Sequence, residues 1–219
     1  RPCRRLSWWF IFFYSITFGG FVGLGNALPL YFTHWYHTSG IAAGLMAALV
    51  VLAGSMARPV GGMIADRFGG IRTLQLLFGV VAIAYLTVAL LPQGPAPAVV
   101  GNAKVAGWGL TELPGIAWLA VVVFFLGATA LGMGNGSVFQ LVPLRFRNEI
   151  GVMTGLVGAA GGIGGFFLAK ALGISKGLTG GFFAGFSLFA GLVVIGLVGL
   201  MAVKTRWRTT WGAASGAQV

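Results

Sequence analysis

Apolar residues run along this chain in six long blocks, at about residues 6–32, 41–65, 74–91, 115–144, 150–171 and 178–203. About 20 such residues are needed to cross roughly 30 Å of hydrocarbon. Each block is predicted to be an α-helix, because lipid offers the backbone no hydrogen-bond partner. A membrane β-barrel would need apolar/polar alternation over about ten residues per strand. These blocks are apolar throughout, which excludes it. The expected fold class is therefore an all-α membrane protein with six transmembrane helices over residues 1–208. A Pro/Gly-rich stretch, 92–114, separates the third and fourth blocks, and the small, polar tail 209–219 is expected to be disordered.

Composition narrows this further. Hydrophobic residues make up 58% of the chain and charged residues 8%, against about 25% charged in a soluble domain. So few charges cannot cover a soluble surface. Glycine reaches 38 residues without a collagen-like repeat, as suits membrane helices that pack closely. Cys3 is the single cysteine, so no internal disulfide forms. The net charge of +11 raises nucleic acid as a partner, but no basic patch with interleaved aromatics supports it. The charges sit at block ends instead. Of the 14 Lys and Arg, ten fall on one set of ends: Arg1, Arg4, Arg5, Arg67, Arg72, Arg145, Arg147, Lys204, Arg206 and Arg208. Lys104, Lys170 and Lys176 fall on the other, and Arg58 lies within a span. The positive-inside rule places both termini in the cytoplasm, and the expected location is the cell's inner (plasma) membrane, with the lipid bilayer as its surroundings. Trp8 and Trp9 are expected near the inner boundary, Tyr31, Trp35 and Tyr36 near the outer one, and residues 204–211 as an inner-surface anchor. The chain opens on Arg1, not Met, with no signal peptide, which suggests a piece of a longer protein.

The candidate chemistry is sparse. Arg58 lies eight residues before Asp66, or about 12 Å along a helix axis, and Pro59 follows it. A charge in the membrane costs at least about 2.5 kcal/mol, so a partner or cavity is expected. The guanidinium fork suits a planar oxyanion. The alternative is that Arg58 reaches for the inner surface or pairs with Asp66. The only acids are Asp66, Glu112 and Glu149, none near the middle of a span, so no proton relay is evident. His34 and His37 read as interfacial. No cluster of His, Cys or acid and no nucleophile–base pair stands out. Hence no cofactor or metal is expected and an enzyme has no support.

Three motifs stand out. In residues 61–72, Asp66 and Arg67 close one helix, Gly69 and Gly70 make a tight turn behind Gly62, and Arg72 opens the next helix. Asp66 would there favour the positive end of the third helix. Residues 132–140 place Asn135, Ser137 and Gln140 in a glycine-rich helix. Gly151, Gly155, Gly158, Gly162 and Gly165 follow three- and four-residue spacing, so one helix face is expected to be nearly bare backbone. That face permits close helix packing and close approach of a small ligand.

The 61–72 junction resembles the loop between second and third helices of a major facilitator superfamily half. Together with residues 134–140 and the run 158–167, it is similar to the C-terminal half of the nitrate/nitrite porter family within that superfamily, over nearly the whole chain. The resemblance implies a secondary transporter of nitrate/nitrite without cofactor, one half of a twelve-helix bundle. Its partner would be an N-terminal six-helix half that this sequence lacks. It further implies substrate contacts from Arg58, Tyr14 and Phe18, with Gly161, Gly162, Gly165 and Asn135 beside the anion, and rocking access with exchange of nitrate for nitrite. A facilitator for another small anion, or a non-transporting sensor or assembly partner of the same fold, remains open at this point.

Overall fold

The computed structural model describes residues 2–95 and 107–207. The tail 209–219, Lys104 and Arg208 lie outside the described residues. Six helices follow in order: α1 Pro2–Trp35, α2 Gly40–Phe68, α3 Gly70–Leu90, α4 Gly115–Arg145, α5 Ile150–Thr179 and α6 Phe183–Trp207. All six are long and apolar enough to cross a membrane. The protein is a multi-pass membrane protein.

The helices overrun the apolar blocks, since a backbone already bonded within its helix has no reason to stop where hydrocarbon does. α2 continues through Asp66 and Arg67 to Phe68. Gly69 then turns the chain with φ 94, a left-handed conformation that favours glycine, and α3 begins at once. No side chain caps α3, so Asp66 stays an exposed residue of the last turn of α2. At the other end, α5 runs to Thr179 and is closed by Gly180 at φ 72, whose N–H donates to the Lys176 carbonyl. Leu178 thus belongs to the fifth helix, not the sixth.

Two helix pairs dominate the packing, α1 with α5 and α2 with α4; α3 lies on α4 and α6. Glycine sets both. A Cβ on Gly19 would lie 2.7 Å from the Gly164 backbone, and one on Gly23 would lie 2.8 Å from the Gly165 carbonyl. Across α2 and α4, Gly61 meets the Met133 backbone, Gly132 the Gly54 carbonyl and Gly136 the Arg58 carbonyl. The expected single glycine face of α5 divides in two. Gly161, Gly164 and Gly165 press on α1, whereas Gly151, Gly155, Gly158 and Gly162 have nothing within 4 Å. Gly70 likewise packs closely, against Leu141 and Gln140.

Aromatic rings fill the two ends. Tyr31 lies 5.1 Å from both Phe124 and Phe182 and 5.6 Å from Phe186. It and Tyr36 are buried within the bundle, at the C-terminal end of α1. Trp207 departs from the expected surface anchor: it is fully buried and stacks on Phe10 at 4.9 Å. Loops tie the far end together, with Trp108 N–H donating to the His37 carbonyl at 2.8 Å and Ser39 N–H to the Trp108 carbonyl at 3.0 Å.

Overpacking costs about 1–3 kcal/mol. Gly61→Val and Gly132→Val should each lower the apparent thermal midpoint in detergent by several degrees, whereas Gly44→Val, at a site open to 4 Å, should leave it unchanged. Equal midpoints would mean that the α2–α4 backbones do not need to touch.

Candidate functional site

Four helices converge on one patch. α1 supplies Tyr14, Phe18 and Phe21 at helical spacing, so their rings share a face. Tyr14 and Phe18 stack at 5.2 Å, nearly parallel at 6°. α4 adds Phe139, whose ring meets Tyr14 at 81° and 4.9 Å. α5 comes close only because Gly161 has no side chain: a Cβ there would lie 2.6 Å from Phe18 Cδ1 and 2.8 Å from Tyr14 Cε1. α2 contributes Arg58, half-buried, with its guanidinium over Phe21 at 4.9 Å and over Phe18 at 5.3 Å.

The backbone of α2 holds that arginine in place. Its carbonyl lies against Gly136 of α4. Pro59 has no N–H to offer the carbonyl one turn back, yet the helix continues through it. The two ring faces attract the cation, each for about 0.5–2 kcal/mol. They do not satisfy its donors. Arg58 Nε is buried without a hydrogen-bond partner among the described residues, a state that costs about 1–3 kcal/mol for a polar group. The guanidinium leans on α1, away from the exposed Asp66, so the pairing with Asp66 that the sequence left open is not formed.

A second pair of unmet polar residues sits on α1 and α4. Asn135 is 2% exposed and neither its Nδ2 nor its Oδ1 has a partner; Thr17 Oγ1 is buried in the same condition. Thr17 abuts Gly134, the neighbour of Asn135, with 2.8 Å between its Cγ2 and a Cβ placed there. Ser137 differs. Its hydroxyl donates to the Met133 and Gly61 carbonyls at 3.0 and 3.3 Å and so belongs to the α2–α4 contact.

The residues expected from sequence therefore separate. Arg58, Tyr14, Phe18 and Gly161 come together. Gly165 packs on Val22 instead, and Gly162 meets nothing within 4 Å. Gly62, Asp66, Arg67, Gly69, Gly70 and Arg72 sit apart, around the α2–α3 turn. Phe21 and Phe139 join the patch without having been singled out. Phe21 is three residues beyond Phe18, a spacing that could have found it.

An all-α bundle of membrane-spanning helices, with one arginine laid on an aromatic wall, defines a polytopic membrane protein. The sequence profile of the Major Facilitator Superfamily matches residues 2–169, and the chain belongs to that superfamily. It is 32% identical over 181 residues to a probable nitrate/nitrite antiporter of Thermus thermophilus, covering 82% of this chain and 40% of that protein. It is 36% identical over 163 residues to a probable nitrate/nitrite transporter of Mycobacterium tuberculosis, covering 74% of this chain and 36% of that one. A nitrite extrusion protein of Bacillus subtilis is 30% identical over 183 residues. The chain spans about 40% of the length of the curated relatives it matches.

If the two rings shield the guanidinium, a Phe18→Ala/Phe21→Ala pair should make Arg58 several-fold more reactive to phenylglyoxal, followed by mass spectrometry of its peptide. Unchanged reactivity would show that the rings do not cover it.

Proposed function

We infer that this chain forms the second half of a nitrate/nitrite transporter, which carries the anion across the cell's inner membrane. The observation that carries the reading is Arg58. It is a cation inside a membrane helix, held by two aromatic rings, with a buried N–H that nothing in the described chain accepts. A planar oxyanion supplies the missing acceptor and matches the guanidinium fork. Tyr14 offers a hydroxyl beside it and Phe18 a flat face, while Gly161 lets those rings sit against α5. The similarity to transporters and antiporters of nitrate and nitrite supports that substrate class.

The other wall of the site is an upstream six-helix half, with a second arginine opposite Arg58. The two halves rock about the bound anion. Both termini are cytoplasmic, by the distribution of Lys and Arg. Exchange is the coupling mode. Moving a monovalent anion inward against an inside-negative potential costs about 2.3 kcal/mol per 100 mV; swapping nitrate for nitrite moves no net charge. The three acids lie in the last turn of α2, in the 107–114 segment and in the short 3-10 turn before α5, away from Arg58's level.

In the full-length transporter reconstituted in proteoliposomes, Arg58→Ala and Arg58→Lys should each lower nitrate flux by at least about 100-fold, with membrane insertion unchanged. Lysine keeps the charge but loses the fork. Normal flux in Arg58→Lys would sink the bidentate reading, and full competition by unrelated monovalent anions would sink the substrate assignment.

A further inference from the structure

At the basic end of the bundle, α2 and α3 leave a groove between them. They share few contacts after the Gly69 turn, since α2 packs on α4 and α3 on α4 and α6. The resulting cavity, about 330 Å³, is lined by Ile64, Phe68, Thr73, Leu76, Leu77 and Met133, with Arg72 beside them. Its floor is buried: Leu77 is 4% exposed, and Thr73 turns its hydroxyl into the backbone by donating to the Gly69 carbonyl at 2.9 Å. Its walls are not. Phe68 is 59% and Leu76 68% exposed. The opening is cationic. Arg72 stands exposed in the first turn of α3, where the helix N-terminus adds positive potential. Arg67 holds its guanidinium 5.7 Å above the Phe68 ring. Asp66 is the one acid nearby, against two arginines.

We propose that this groove is a binding site for an anionic phospholipid. One acyl chain lies along Phe68, Leu76 and Leu77, and the phosphate sits between Arg72 and Arg67. Charge complementarity selects the occupant. A basic mouth over an apolar trough, at a helix end where hydrocarbon meets water, fits a molecule with one anionic end and one apolar end. Basic pockets between membrane helices on the cytoplasmic side bind anionic head groups in this way. A neutral lipid would leave the two guanidinium groups unmatched, and a free phosphate would leave Phe68 and Leu76 uncovered. The site lies at the α2–α3 turn, separate from Arg58, and does not depend on which anion is transported.

The test uses the whole 219-residue chain in detergent, titrated with phosphatidylglycerol or phosphatidylcholine, with bound lipid counted by native mass spectrometry. Phosphatidylglycerol should be retained at least tenfold more tightly than phosphatidylcholine. Arg72→Gln should remove that preference, Arg72→Lys should keep most of it, and Leu76→Glu should lower retention at least tenfold. Lys170→Gln, on α5, should change nothing. Circular dichroism would establish that each variant is folded. Equal retention of the two lipids, or unchanged phosphatidylglycerol binding in Arg72→Gln, would overturn the proposal. So would displacement of the lipid by millimolar inorganic phosphate, which would make the site an anion site without a trough. Failure to retain any lipid would assign the groove to a protein surface and overturn it as well.

Discussion

Backbone-to-backbone contact at glycine is the constraint on which this structure rests. In hydrocarbon, apolar side chains gain nothing from leaving their surroundings, because those surroundings are equally apolar. Helices associate through close packing instead. Gly61, Gly132 and Gly136 bring α2 and α4 into direct main-chain contact, and Gly19, Gly23 and Gly164 do the same for α1 and α5. These contacts also place the site. Gly136 lies on the Arg58 carbonyl, and Gly161 lies under the Tyr14 and Phe18 rings. Arg58 also lies one turn from Gly54 and Gly61, the α2 glycines at the α2–α4 contact.

Arg58 is where the fold departs from the logic of its solvent. Elsewhere the spans are largely apolar or carry small polar groups, some of them bonded to nearby carbonyls, as at Ser15 and Ser137. Arg58 is offset by ring faces rather than by an acid. That choice leaves its charge available. An ion pair would neutralise the guanidinium and occupy its fork, whereas aromatic faces stabilise the cation and leave its Nε–H uncommitted. Asn135 and Thr17 add unmet polar atoms on the α1–α4 side.

Much of this was legible in the sequence. Six apolar blocks gave six helices, because a span of that length has no other way to satisfy its backbone. Arg58 stood out because an intramembrane charge is rare. What the sequence could not show was which way each side chain points. A helix that is apolar all round has no polar stripe to orient it. Trp207 was therefore read as part of a surface anchor, although it is buried in an aromatic cluster. Gly165 was grouped with Gly162 by spacing, although it faces α1. The end of α5 was missed for a related reason: hydropathy marks where lipid stops, while Gly180, through its positive φ, marks where the helix stops.

The open glycines of α5 have a mechanical meaning. Gly151, Gly155, Gly158 and Gly162 present main chain with nothing within 4 Å. A surface of side chains is corrugated, and a neighbour that slides across it must lift knobs out of holes and carry rotamers over their barriers. A strip of bare backbone has no rotamers to unlock, and weak Cα–H contacts to a facing carbonyl can be exchanged for equivalent ones a short step along. That side of α5 offers a neighbour no rotamers to unlock, while the adjoining side packs tightly on α1. The same residue type, on two neighbouring faces of one helix, serves once as a clamp and once as open backbone.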